Sequence, residues 1–227
     1  MTWRISQRQS RQRYLEKFDA TEVAAYDALV GALTTEDLAA YRDDLAEVFT
    51  FQPGQAVLDA GAGTGAFTRV LAGIAGLRVT ALEPAPAMVA CLQSKPELQG
   101  VTTCTGFCDH QDDLAHFPPA QFDAICSRQL GNGLYDPLTA FRLWHHWLKP
   151  GGAVLLVDGA YAREAWTGRW AEEVDVLPLA ATQTPATAAY LLELAGFRVE
   201  GFRWLARVNE RPGTRTRRYV VVARRTT

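Results

Sequence analysis

The order of apolar and polar positions changes its period twice along the chain. Between residues 7 and 49, apolar side chains recur at helical spacing. They run through Tyr14, Leu15, Phe18, Val23, Tyr26 and Leu29, then through Leu38, Tyr41, Leu45 and Val48, which predicts helices. Thr35, Glu36 and Asp37 give the second run an acidic, hydroxyl-capped start, and Pro53-Gly54 ends the pattern. From Gln55 onward short apolar runs alternate with helical segments. Strands are expected over 56–59, 78–83, 101–106, 122–127 and 153–158, with helices over 65–75, 85–93 and 137–148. The sequence Lys149-Pro150-Gly151-Gly152 marks a turn before the fifth strand.

Strands separated by helical crossovers imply a parallel sheet covered on both faces. The end of the chain breaks this rhythm. After a helix around 187–195, two β-rich runs over 197–208 and 218–223 follow each other with Pro212-Gly213 between them and no crossover helix. An antiparallel hairpin at the sheet edge is expected there. The pattern therefore predicts an α/β fold: a Rossmann-like, doubly wound, mostly parallel sheet with a C-terminal antiparallel hairpin and N-terminal helices. One domain over 1–227 is expected, with a helical cap (1–54), a core (55–160), an insertion at the ligand side (161–184) and a closing helix and hairpin (185–227).

Composition changes this picture little. The chain has 227 residues, 48% hydrophobic and 21% charged, ordinary values for one globular domain that excludes a disordered or fibrous chain. No apolar run approaches the ~20 residues that span a bilayer, and the first 18 residues lack the apolar segment of a signal peptide; a cytoplasmic location is expected. Cys91, Cys104, Cys108 and Cys126 form no C-x-x-C pair, and His110, His116, His145 and His146 show no ligand spacing relative to them. No metal is expected. The net charge is −2, but nine arginines from Arg198 to Arg225 face only Glu200 and Glu210. Such a stripe can hold phosphate-bearing partners, whereas arginines alternating with apolar residues in a strand more often form a solvated face.

Candidate chemistry begins at Val57-Leu58-Asp59-Ala60-Gly61-Ala62-Gly63-Thr64-Gly65. Glycines in the turn from the first strand to its helix let a ligand approach the backbone closely. Gly61, Gly63 and Ala66 also satisfy the G-x-G-x-x-G/A pattern of dinucleotide enzymes. Three features decide between the readings. Asp59, two residues before the first glycine, would repel a pyrophosphate but suits a cationic amino-acid end. Glu83 ends the second strand, where a carboxylate accepts bonds from both ribose hydroxyls of an adenosine. The terminal strand pair departs from a dinucleotide half-fold.

Residues 55–158 resemble the class I S-adenosylmethionine-dependent methyltransferases, with VLDAGAGTG as first motif, ALEP as acidic motif and KPGG before the fifth strand. The resemblance implies S-adenosylmethionine as cofactor and S-adenosylhomocysteine as product. It assigns Gly61, Ala62 and Gly63 to the methionine and ribose, Glu83 and Pro84 to the ribose and adenine, and Asp109 to the adenine amino group. Ser127 and Arg128 would supply backbone contacts to the methionine. An N-capping role for Asp112 competes with the assignment of Asp109.

The acceptor is expected at the loops after Ser127 and Asp158 and at the N-terminal helices, outside the carboxyl ends of the strands. The loop 128–137 is not the Asn/Asp-Pro-Pro-aromatic sequence of enzymes acting on base amino groups. Residues 159–176 are rich in aromatic and acidic side chains, which suit a cation in a water-poor pocket. Trp166 and Trp170, four apart, equally fit a helical core face. Gln129, Asn132, Tyr135, Tyr161, Trp166 and Trp170 are the acceptor candidates, and Asp158 and Glu164 the candidate bases. The stretches SRQLGNGLYDPLTAF and DGAYAREAWTGRWAEEVDVLPL also resemble cyanobacterial enzymes that N-methylate amines in guanidine-containing, guanitoxin-like natural products. The expected reaction is methyl transfer to a nitrogen of a small, cationic amine or guanidine metabolite. O-methylation of a hydroxyl or carboxyl compound is the alternative, and RNA modification a more distant one. No membrane partner is expected.

Overall fold

The computed structural model describes residues 5–214 and 216–226, except for the side chains of 165, 169 and 170. Strand β1 (Ala56–Ala60) is buried at all five positions, as a strand covered on both faces must be. It pairs in parallel with β2 (Arg78–Glu83) on one side and β4 (Phe122–Arg128) on the other. β3 (Thr102–Thr105) and β5 (Leu148–Gly159) extend the parallel sheet outward. β7 (Arg218–Arg225) then runs antiparallel between β5 and the edge strand β6 (Phe197–Trp204). The order is β3-β2-β1-β4-β5-β7-β6. The chain reverses its direction of winding between β1 and β4, so a crevice opens at the carboxyl ends of those two strands.

Side-chain alternation sorts the core into two layers. Leu58, Ala60, Ile125, Val154 and Leu156 face α6 (Pro137–Trp147) and α7 (Pro185–Leu194), with Trp144 and Trp147 fully buried among them. Val57, Ala124, Cys126, Leu155 and Val157 face α3 (Thr35–Ala46) and α4 (Ala66–Ala72). The helix starts carry their own capping: Thr34 and Asp37 form a capping box for α3, and Asp136 caps α6 ahead of Pro137. α4 is shorter than its apolar pattern suggests. It starts only after Gly65, whose φ of 91° lies in the left-handed region.

The N-terminal segment forms three helices where the spacing suggested two. α1 (Gln7–Lys17) and α2 (Ala20–Tyr26) precede α3, and α2 runs on into a π-helical turn, Asp27–Gly31. Phe18 and Val23 pack with Met88 and Ala85 beside α5 (Pro86–Gln93). The first of the two β-rich runs also ends early, at Trp204, and gives way to the short helix α8 (Ala206–Asn209). The Asn209 side chain fixes this break by donating to the Arg218 carbonyl and accepting from the Arg218 N–H.

Three of the nine C-terminal arginines are neutralised by acids in and just after α3. Arg203 pairs with Glu47 at 2.6 Å, Arg207 with Asp44 and Glu47, and Arg211 with Asp37 at 2.6 Å. Among the described residues no helix is long and apolar enough to cross a membrane, and no cluster of His, Cys, Asp or Glu is placed to hold a metal ion. All four cysteines are free.

Candidate active site

A cavity of about 430 Å³ occupies the crevice at the β1–β4 reversal, within the size range of small-molecule sites. Its floor is the turn after β1. Gly61 and Gly63 adopt φ of 70° and 55°. A Cβ on Gly61 would meet the Leu130 side chain at 2.7 Å, whereas one on Gly63 would meet nothing closer than 3.9 Å. The Gly63 backbone is thus bare towards the cavity.

Glu83, at the end of β2, is the best-supported side chain of the site. One carboxylate oxygen, Oε1, accepts from the Ala85 N–H at 2.9 Å and the Tyr14 hydroxyl at 3.1 Å. The other, Oε2, accepts from the Gly63 N–H at 3.0 Å. Burial nevertheless pushes its pKa up to about 7, the three hydrogen bonds only partly opposing the desolvation. Pro84 stands next to it in the cavity wall. Asp109 lies further along the same wall, accepting from Arg11 at 2.5 Å and from the Tyr135 N–H at 2.9 Å. The capping role near it falls to Asp113, which accepts from the Asp109 and His110 N–H groups at 3.0 and 2.9 Å and also holds Arg11. Asp112 is 83% exposed.

The side chains of three expected cofactor residues face elsewhere, Ser127 having been expected to offer its backbone alone. Asp59 shares the face of Val57, and its carboxylate accepts from the Thr68 hydroxyl at 2.6 Å, tying β1 to α4; burial pushes it to about pKa 7. Ala62 packs with Ala81, Leu92 and Leu98. Ser127 is fully buried, and its hydroxyl has no hydrogen-bond partner. None of the three side chains lines the cavity, whereas that of Arg128 does.

Gln129, Asn132, Tyr135, Tyr161 and Trp166 all line the cavity. Gln129 takes a φ of 57°, unusual for a residue with a Cβ. Its side chain donates to the Tyr161 hydroxyl at 2.7 Å. Tyr161 also accepts from Arg218 at 2.6 Å and packs at a tilt against Trp166 with ring centroids 5.6 Å apart. The Trp170 side chain lies outside the described residues. The two candidate bases are corrected. Asp158 is fully buried behind the wall, where it accepts from Gly131 N–H (3.1 Å), Gly159 N–H (2.8 Å) and the Gln183 amide (2.6 Å). It organises the loops rather than facing a ligand. Glu164 is exposed and does not line the cavity, because the segment turns there through a short 3-10 stretch, Arg163–Ala165. The carboxylates that do reach the cavity from this segment are Glu172 and Glu173.

The roof was not legible residue by residue. α1 buries none of its own residues, yet Arg11, Tyr14 and Lys17 line the cavity from it. Arg11 holds Asp109 and Asp113, Tyr14 holds Glu83, and Lys17 pairs with Glu173 of the 168–175 turn. The Tyr135 hydroxyl donates to the Ile5 carbonyl at 2.8 Å and closes the remaining side. The only sequence signal was the Tyr14–Phe18 spacing in an otherwise polar helix.

Residues 58–156 match the family model described as a methyltransferase domain. A phosphoethanolamine N-methyltransferase 1 of Arabidopsis thaliana is 27% identical over 151 residues, covering 65% of this chain and 30% of that protein. A ubiquinone biosynthesis O-methyltransferase of Xanthomonas campestris is 30% identical over 145 residues, covering 64% of this chain and 60% of that protein. The chain therefore spans less than two thirds of the curated relatives it matches. Among solved structures, Haemonchus contortus phosphoethanolamine N-methyltransferase 2 in complex with S-adenosyl-L-methionine superposes with a TM-score of 0.67 at 17% identity, over 96% of this chain and 60% of that one. A methyltransferase from Aquifex aeolicus gives 0.66 at 19% identity, over 92% of this chain and 100% of that one. The fold is that of these solved methyltransferases, and the match to the methyltransferase domain model covers residues 58–156. The site fits the cofactor. A buried carboxylate at the end of β2, the bare backbone at Gly63 and, further along the same wall, Asp109 are the groups the cavity offers to an adenosine.

Proposed function

We propose that the protein methylates a nitrogen of a small amine or guanidine metabolite. The observation that carries this reading is the set of side chains at the roof of the cavity. Glu172 and Glu173 bring carboxylates to the same wall as the packed rings of Tyr161 and Trp166. Carboxylates and aromatic faces in a water-poor cavity favour a cationic acceptor. S-adenosylmethionine supplies an already electrophilic methyl group, so alignment and exclusion of water are the main demands on the protein. Glu83 and Asp109 would fix the adenosine, and α1, latched to both, would keep water out. Burial pushes Glu173 above the usual carboxylate range, with Lys17 opposing. That combination suits a group that receives the proton an amine must lose.

O-methylation is the second reading, favoured by the likeness to the ubiquinone O-methyltransferase. A hydroxyl acceptor demands a stronger base, and no histidine lines the cavity among the described residues. Pairing of Arg203, Arg207 and Arg211 with acids at α3 reduces the basic stripe that an RNA substrate would use. A small natural-product amine remains within the proposal, supported by the local resemblance alone. The test is a mass-spectrometric screen of amines, guanidines, phenols and carboxylates with S-adenosylmethionine. Methylated amines or guanidines are expected; turnover confined to hydroxyl or carboxyl compounds would overturn the nitrogen assignment.

A further inference from the structure

The cavity contains a cation that makes no contact ion pair with the described residues. Arg128, the last residue of β4, shares the face of Cys126 and so turns towards α3. There its Nε donates to the Tyr41 hydroxyl at 3.0 Å, with the guanidinium carbon 5.5 Å from the Tyr41 ring centroid. It makes no ion pair with a described residue, and its terminal nitrogens have no hydrogen-bond acceptor there. The contrast with its neighbours is sharp: Arg11 holds two carboxylates and Lys17 holds Glu173. The buried carboxylates of Asp59 and Asp158 feel its charge without touching it.

The guanidinium is half-buried in the cavity wall with its terminal nitrogens open to the cavity. Its planar fork is shaped for two oxygens of a carboxylate or phosphate. We propose that Arg128 is the anion receptor of this cavity, its terminal nitrogens taking a pair of carboxylate or phosphate oxygens from a bound small molecule. Tyr161 supplies a second donor beside it. Its oxygen already accepts from Gln129 and Arg218, which leaves its own proton to be given away. The inference rests on the reading of the cavity as a small-molecule methyl-transfer site and deepens it, because a ligand there must carry an anion as well as the nitrogen. Two ligands bring that chemistry: the amino-acid end of the cofactor, and an acceptor bearing a carboxylate or phosphate.

The test is calorimetry on Arg128→Gln and the native chain with three probes: S-adenosylhomocysteine, 5′-methylthioadenosine, which lacks the amino-acid end, and inorganic phosphate added to the S-adenosylhomocysteine complex. If the cofactor provides the anion, the variant binds S-adenosylhomocysteine about tenfold or more weakly and methylthioadenosine unchanged. If the acceptor provides it, both nucleosides bind as before, while phosphate binding to the native complex is lost in the variant. Equal behaviour of the two proteins towards all three probes overturns the proposal, as does a parallel loss of both nucleosides, which marks a collapsed wall. Should Arg128→Gln not fold, Arg128→Lys, which keeps the charge and loses the fork, is read by the same criteria. Amine turnover in the screen would stand whichever way this test falls, so the two readings fail separately.

Discussion

The Tyr14 hydroxyl donates to Glu83 Oε1 across 69 residues of chain at 3.1 Å. Helix α1 thereby rests on the carboxylate that a cofactor ribose would engage. Roof and cofactor site are coupled through one side chain, and the charge state of Glu83 becomes the quantity to measure.

Burial raises the Glu83 pKa to about 7, and ribose hydroxyls donate to the ionised form. Binding of S-adenosylhomocysteine should therefore strengthen as pH rises from about 6 to about 8, with uptake of the ligand releasing a proton. Isothermal titration in buffers of different ionisation enthalpy checks this. Tyr14→Phe removes a bond that lowers the pKa, so the midpoint should move to higher pH. A pH-independent affinity in the native protein would show that Glu83 does not titrate on binding.

Stability of the unliganded protein should run the other way. Glu83 and Asp59 rise to about 7, and Asp158 to about 6, all through burial. A carboxyl whose pKa is higher in the folded state contributes stability below its unfolded value that is lost as pH rises through the folded value. Thermal melts should decline between about pH 4 and about pH 7. Glu83→Gln should flatten part of that decline while costing roughly 1.5–3 kcal/mol of S-adenosylhomocysteine binding per charge-assisted bond lost.

Arg11 joins α1 to Asp109 and Asp113 while only 22% exposed, and both carboxylates are buried. Arg11→Ala leaves those carboxylates short of a partner, and should cost about 2 kcal/mol with faster hydrogen exchange in residues 7–17. S-adenosylhomocysteine affinity should fall with it, because Asp109 loses its orientation. Unchanged exchange in α1 would mean that Tyr14 and Lys17 suffice as latch.

Trp166 lines the cavity against Tyr161. Trp166→Ala should raise the KM of a cationic acceptor by tens of fold, using ~2 kcal/mol for a desolvated cation over an aromatic face, with cofactor affinity nearly unchanged. A fall in melting temperature with acceptor kinetics intact would assign the ring to packing alone.

The fold was legible because its causes are local. Alternation of period-2 and period-3.6 segments, the glycines after β1 and the missing crossover before β7 each report a constraint acting within a few residues. The position of Glu83 followed from the same arithmetic, being the end of a strand next to a glycine turn. Even the orientation of Asp59 was latent in the strand: two residues after Val57, it shares that residue's face and turns to Thr68 rather than to the crevice.

The roof was decided only in three dimensions. α1 has no apolar stripe to announce its docking. It is held by Arg11, Tyr14 and Lys17 reaching partners between 69 and 156 residues away. Glu164 and Glu173 are equivalent in composition, yet the 3-10 turns of their segment expose one and bring the other to Lys17 and the cavity. Arg128 is an unremarkable strand-end arginine in the sequence. That it makes no contact ion pair with a described residue depends on which carboxylates other elements have already claimed, and no periodicity along the chain encodes that allocation.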